Sequence, residues 1–118
     1  MTECKVEGEL IPPEFTDSLM DTVAKEGQPH QLTCRVMGYP VPTVSWYKNG
    51  VCVDNCQDYS IAYDGNSGDC YLSFEEVFIE DQAEYVCRAQ NLVGEADTGC
   101  HLLVERKPPF LFFSFLSL

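Results

Sequence analysis

Basic side chains are scarce in this chain. Seven lysines and arginines stand against nineteen aspartates and glutamates, a net charge of −12. A surface that grips nucleic-acid backbones needs the opposite balance, because phosphate binding rests on displacing counterions with lysine and arginine. Histidine is scarcer still: only His30 and His101 are present, neither inside a nucleophile motif. No glycine-rich phosphate loop occurs. These gaps argue against an enzyme and against a bound cofactor. Long apolar runs are missing too. The most apolar stretch, "PFLFFSFLSL", has about half the roughly twenty residues a membrane-spanning helix requires. It also lacks the terminal cysteine or polar spacer of a lipid-anchor signal. The opening "MTECKVEGEL" has no charged-then-apolar leader, and no asparagine has serine or threonine two positions later.

What is present is a series of short alternating segments. "HQLTCRVMG" sets Leu32, Cys34 and Val36 against Gln31, Thr33 and Arg35, the period of a half-buried strand. "PTVSWYKNG" does the same with Val44 and Trp46, and Asn49-Gly50 ends it with a tight-turn signal. "DYSIAYDGNSGDCYLSF" predicts two strands around the loop at 64–68, with Cys70, Leu72 and Phe74 inward. "AEYVCRAQN" aligns Tyr85, Cys87 and Ala89, and "GEADTGCHLLVE" aligns Ala96, Thr98, Cys100, Leu102 and Val104. No convincing helical stripe interrupts them; "EEVFIEDQ" supports one short turn at most. Many short strands at this spacing predict an all-β, two-sheet antiparallel sandwich.

Three residues sharpen that expectation. Trp46 lies twelve positions after Cys34, Cys87 forty-one positions after Trp46, and Tyr85 two before Cys87. This is the cysteine–tryptophan–cysteine spacing with a tyrosine corner that marks the immunoglobulin sandwich. With "GYPVPTVSWYKNG", "EDQAEYVCRAQNLVGEA" and "LLVE", the chain resembles the I-set immunoglobulin modules of the titin, obscurin, twitchin and palladin group. The resemblance implies a Greek-key sandwich of seven to nine strands over 11–106. It would follow a flexible acidic segment, 1–10, and precede an apolar tail, 107–118. It also implies a structural and protein-binding module of a muscle or actin-cytoskeleton protein, one unit of a tandem array, cytoplasmic and sarcomeric. Two alternatives stand beside it: a regulatory module flanking a kinase domain of the light-chain-kinase type, and an extracellular adhesion or receptor module.

Cys34, Trp46, Tyr85 and Cys87 are the expected structural core. Cys34 and Cys87 have the spacing of the inter-sheet disulfide if oxidised, and in a cytosolic member they are expected as packed thiols. Cys52 and Cys56 form one close pair where a structural zinc site uses two, so no metal is expected. Cys70 and Cys100 fall on inward faces and fill the core. "DGNSGD" with Glu75 imitates a calcium loop, but Asp69 stands where that loop needs glycine; a turn between strands is expected. From Asn49 to Cys87 the chain carries nine carboxylates and no lysine or arginine. Asp54, Asp58, Asp64, Asp69, Glu75, Glu76 and Glu80 are therefore the candidate contact face for a protein partner, with exposed sheet edges as the other candidate. The tail repeats "KPPF" ninety-six residues after "IPPEF", about one module length, and is expected to be the truncated start of a next module.

Overall fold

The computed structural model describes residues 9–107; the segments at 1–8 and 108–118, including the apolar tail and Cys4, lie outside the described residues. Nine strands follow in chain order: β1 (Ile11–Asp17), β2 (Thr22–Lys25), β3 (His30–Tyr39), β4 (Thr43–Lys48), β5 (Val51–Cys52), β6 (Ser60–Tyr63), β7 (Asp69–Phe74), β8 (Ala83–Asn91) and β9 (Gly94–Glu105). One 3-10 turn, Ile79–Asp81, precedes β8. They build a four-stranded sheet in the order β1-β3-β7-β6 and a five-stranded sheet in the order β2-β9-β8-β4-β5.

Alternation decides which side of each strand meets the other sheet. Leu32, Cys34 and Val36 of β3 and Cys70, Leu72 and Phe74 of β7 are buried from one sheet. Trp46 of β4, Tyr85, Cys87 and Ala89 of β8, and Cys100, Leu102 and Val104 of β9 are buried from the other. Burying a large apolar side chain of this kind stabilises by roughly 1.5–3 kcal/mol. The β4–β5 hairpin closes through Asn49 and Gly50, whose φ angles of 49° and 84° suit the right-handed twist of the strands. Lys48 pairs with Val51 across it.

One pairing is parallel. β1 runs along the edge of the four-stranded sheet, where Pro12 and Pro13 leave no needed donor missing, and its register to β3 slips twice. The chain then crosses at 18–21 to the opposite sheet, where β2 lies parallel to β9. Leu19 is buried at the crossing, its N–H donating to Thr98 Oγ1 at 3.1 Å. Asp21 Oδ1 accepts from the His101 N–H at 2.8 Å. Neither Thr22–Lys25 nor Val51–Cys52 lies within a stretch that alternation predicts; each is made a strand by its neighbour, β9 or β4.

Candidate functional site

Two rows of side chains meet at the middle of the sandwich. Tyr63, Cys70 and Cys34 are directly paired across β6, β7 and β3. Trp46, Cys87 and Thr98 are directly paired across β4, β8 and β9. Directly opposed residues share a face, so each row turns toward the other sheet. The sulfurs of Cys34, Cys70 and Cys87 consequently lie within 4.8 Å of one another, all buried. Cys70 Sγ donates to the Gly68 carbonyl at 3.4 Å. Thiol–thiol hydrogen bonds, and after them burial, push the Cys87 thiol well above its ordinary pKa. At Cys34 the hydrogen bond to Cys70 is the largest cause of an upward shift. Trp46 Nε1 and the Tyr63 hydroxyl are buried without a partner among the described residues. The spacing of Cys34, Trp46 and Cys87 is legible in the sequence; that Cys70 joins them is a matter of β3–β7 register, which no local motif encodes. Cys100 is buried elsewhere on β9, and burial pushes its thiol up to about 11.

The corner before β8 is tied by hydrogen bonds. Tyr85 Oη donates to the Asp81 carbonyl at 2.6 Å, and Asp81 Oδ2 accepts from the Phe78 N–H at 2.7 Å. Lys48 Nζ donates to the Glu80 carbonyl at 2.8 Å. Tyr59, Phe74 and Tyr85 form a triangle of edge-to-face rings with centroids 5.1, 5.8 and 6.3 Å apart. Tyr59 is the one member of that corner without a sequence signal, since it precedes β6 in a turn.

The seven carboxylates of the expected acidic face separate in space. Asp54 Oδ1 accepts from the Trp46 N–H at 2.8 Å and so belongs to the β4–β5 hairpin. Asp64 Oδ1 accepts from the Asn66 N–H at 2.9 Å, holding the β6–β7 turn. Asp69 is paired with Arg35 at 2.9 Å, and that hydrogen bond, with a second from Ser67, holds its carboxyl below the usual range. Asp58, Glu75, Glu76 and Glu80 gather around Tyr59 at the other end of that hairpin. β6, roughly 13 Å long at 3.3 Å per residue, keeps the two groups apart. A hairpin folds one acidic run into two ends. Cys56 Sγ donates to Asp58 Oδ2 at 3.5 Å at the edge of this cluster, and Cys52 is exposed on β5. His30 and His101 stand on different sheets, in β3 and β9.

The end at which β1 begins has a different character. Leu10, Ile11, Tyr39, Val41, Leu92 and Val93 are all exposed there. Asn91 gathers their backbones: its Nδ2 donates to the Ile11 carbonyl at 2.7 Å and the Pro40 carbonyl at 3.1 Å, and its Oδ1 accepts from the Val93 N–H at 3.0 Å. Gly94 packs close on Pro12, where an added Cβ would stand 3.1 Å from the ring. The start of β1 and the β3–β4 and β8–β9 turns thus meet in one apolar cap. Single apolar residues in turns carry no period, so sequence reasoning passes over them. The opposite end is charged, lined by Lys25, Glu26, Glu105, Arg106 and Lys107.

The profile of the immunoglobulin I-set domain matches residues 13–104. Telokin of Meleagris gallopavo is 39% identical over 95 residues, covering 80% of this chain and 61% of telokin. Neural cell adhesion molecule 1 of Bos taurus is 36% identical over 104 residues, covering 86% of this chain and 12% of that protein. Smooth-muscle myosin light chain kinase of Gallus gallus is 39% identical, and this chain spans 5% of it. Among solved structures, titin domains Z1Z2 in complex with telethonin superpose with a TM-score of 0.79 at 30% identity, covering 85% of this chain and 50% of that one. The titin M10–obscurin-like 1 Ig complex gives 0.77 at 31% identity, covering 83% and 98%.

Proposed function

The chain belongs to the immunoglobulin I-set family, and from that premise we propose that it is a non-enzymatic structural and protein-binding module of a muscle or actin-cytoskeleton protein, one unit of a tandem array in the cytoplasm. The observation that carries this reading is the apolar cap. Six exposed apolar side chains on one end of a sandwich are the surface an end-to-end neighbour or a partner protein would cover. The charged opposite end, with Lys25, Arg106 and Lys107, supplies unlike chemistry for the next contact in such a row. Titin modules in complexes with telethonin and with obscurin-like 1 are relatives in fold that meet other proteins. The Asp58, Glu75, Glu76 and Glu80 cluster is the second contact surface, suited to a basic partner.

The test is capture of partners from muscle lysate by the full chain, compared with a Val41→Asp/Leu92→Asp variant and a variant with Lys at 58, 75, 76 and 80. Loss of capture by the first variant supports the cap; loss only by the second moves the contact to the acidic cluster. Equal capture by all three, or none by the unmodified chain, overturns the proposal.

A second reading is extracellular adhesion, favoured by the 36% identity to neural cell adhesion molecule 1. A quantitative Cys34–Cys87 disulfide in protein isolated from its own cells would select it, and free thiols would select the cytoplasm. A third, regulatory placement beside a kinase domain rests on the light-chain-kinase relative and is decided by the full reading frame.

A further inference from the structure

We propose that Cys34, Cys70 and Cys87 form a three-sulfur binding site for a soft monovalent cation, copper(I), at the centre of the core. The site is independent of the partner surfaces above but rests on the cytoplasmic reading, which keeps Cys34 and Cys87 as free thiols. Its basis is geometry: three sulfurs from three strands, two neighbouring in one sheet and one facing them from the other, lie within 4.8 Å of one another. A metal–sulfur bond of about 2.3 Å in a flat trigonal arrangement places sulfurs about 4.0 Å apart. Sulfurs within 4.8 Å of one another reach that spacing by shifts of no more than about 1 Å, within the play of cysteine rotamers. Ligand number sets the choice of ion. Structural zinc is tetrahedral and takes four ligands, and the cluster holds three. Soft thiolate donors select copper(I), which accepts three-coordination.

The surroundings suit a site shielded from water. Val36, Leu72 and Trp46 are buried in the same core, so a bound ion is held away from solvent and oxidant. Tyr63 is paired directly with Cys70 on the adjacent strand, and its buried hydroxyl has no hydrogen-bond partner among the described residues. That O–H is a donor free to face a thiolate and offset its charge. Loading balances simply. Copper arrives already reduced and displaces the protons of two thiols, which leave to solvent. The third sulfur gives up its own proton to solvent as it coordinates, because the thiolate rather than the thiol is the metal ligand, and the site then carries two net negative charges. No electron moves. Because all three sulfurs are buried, the ion enters as the sheets close during folding and leaves only when they open.

The experiment uses the full chain with Cys4→Ser, Cys52→Ser and Cys56→Ser, which leaves Cys34, Cys70, Cys87 and Cys100 as the remaining thiols. It is refolded without oxygen in the presence of a weak copper(I) chelate, then challenged with excess strong copper(I) chelator. The expected result is about one copper retained per folded chain, released on denaturation, with emission of the single tryptophan quenched because Trp46 is paired with Cys87. X-ray absorption should count three sulfurs around the metal. Cys70→Val should lower retention at least about tenfold, and Cys100→Ala, a buried thiol outside the trio, should leave it unchanged. Loss of all copper to the chelator from the folded chain overturns the proposal. A count of two sulfurs does the same, as does full retention by Cys70→Val. Should Cys70→Val fail to fold, the sulfur count on the unsubstituted core decides.

Discussion

The central layer and the apolar cap are built from similar side chains and end in opposite states. Trp46, Cys70 and Cys87 are 0% exposed, whereas Val41 is 55% and Leu92 81% exposed. The first group sits on strands with a second sheet opposite, so every inward side chain meets another. The second sits on strand ends and turns at one end of both sheets, where no layer of the described residues lies beyond. The difference separates two kinds of substitution: those that unfold the module and those that change only what it meets.

Trp46→Ala should show the largest effect, about 3–5 kcal/mol lost in urea unfolding, because the cavity opens between two sheets that cannot collapse onto it. A loss below about 1 kcal/mol would mean that the middle layer is no more demanding than the ends. Gly68→Ala comes next. Gly68 has a φ of 87°, and an added Cβ would stand 2.1 Å from the Val36 carbonyl oxygen. The expected cost is about 1–3 kcal/mol by the same measurement. A neutral outcome would show that the β6–β7 turn yields easily against β3. Third is a pH effect at the rim of the core. His30 packs near Phe74 with Nε2 buried, and burial lowers its pKa below 6.5. The unfolded chain then binds a proton that the folded chain does not, so this contribution is present above about pH 6.5 and is lost as pH falls toward the folded value. His30→Leu should flatten the slope of melting temperature between about pH 5.5 and 7; an unchanged slope would assign it to other groups. Smallest is Leu92→Asp with Val41→Asp, expected to change stability by no more than about 0.5 kcal/mol. A larger loss would make the cap part of the fold.

Much of this contrast is legible in the chain. The alternation around Leu32, Cys34 and Val36, the Asn49-Gly50 turn, the Trp46 spacing and the Tyr85 corner are local patterns, and each reports its own burial. The Tyr85 to Asp81 hydrogen bond joins residues four apart, close enough for sequence reasoning to anticipate the corner. The four-residue β2 was not legible, because it is made a strand by β9 rather than by its own period. Nor was the division of the acidic run, since charge along a chain says nothing about where a hairpin turns it.

By itself the sequence determined an all-β sandwich with Cys34, Trp46, Tyr85 and Cys87 inside, because a period of two and a short corner are properties of neighbouring residues. Tertiary structure alone decided that Cys70 stands against Cys34 and Cys87, that Asp64 and Asp69 part from Asp58 and Glu75, and that the start of β1 and two distant turns share an apolar cap. Each of these depends on strand register and sheet order, which arise from contacts between residues far apart in the chain.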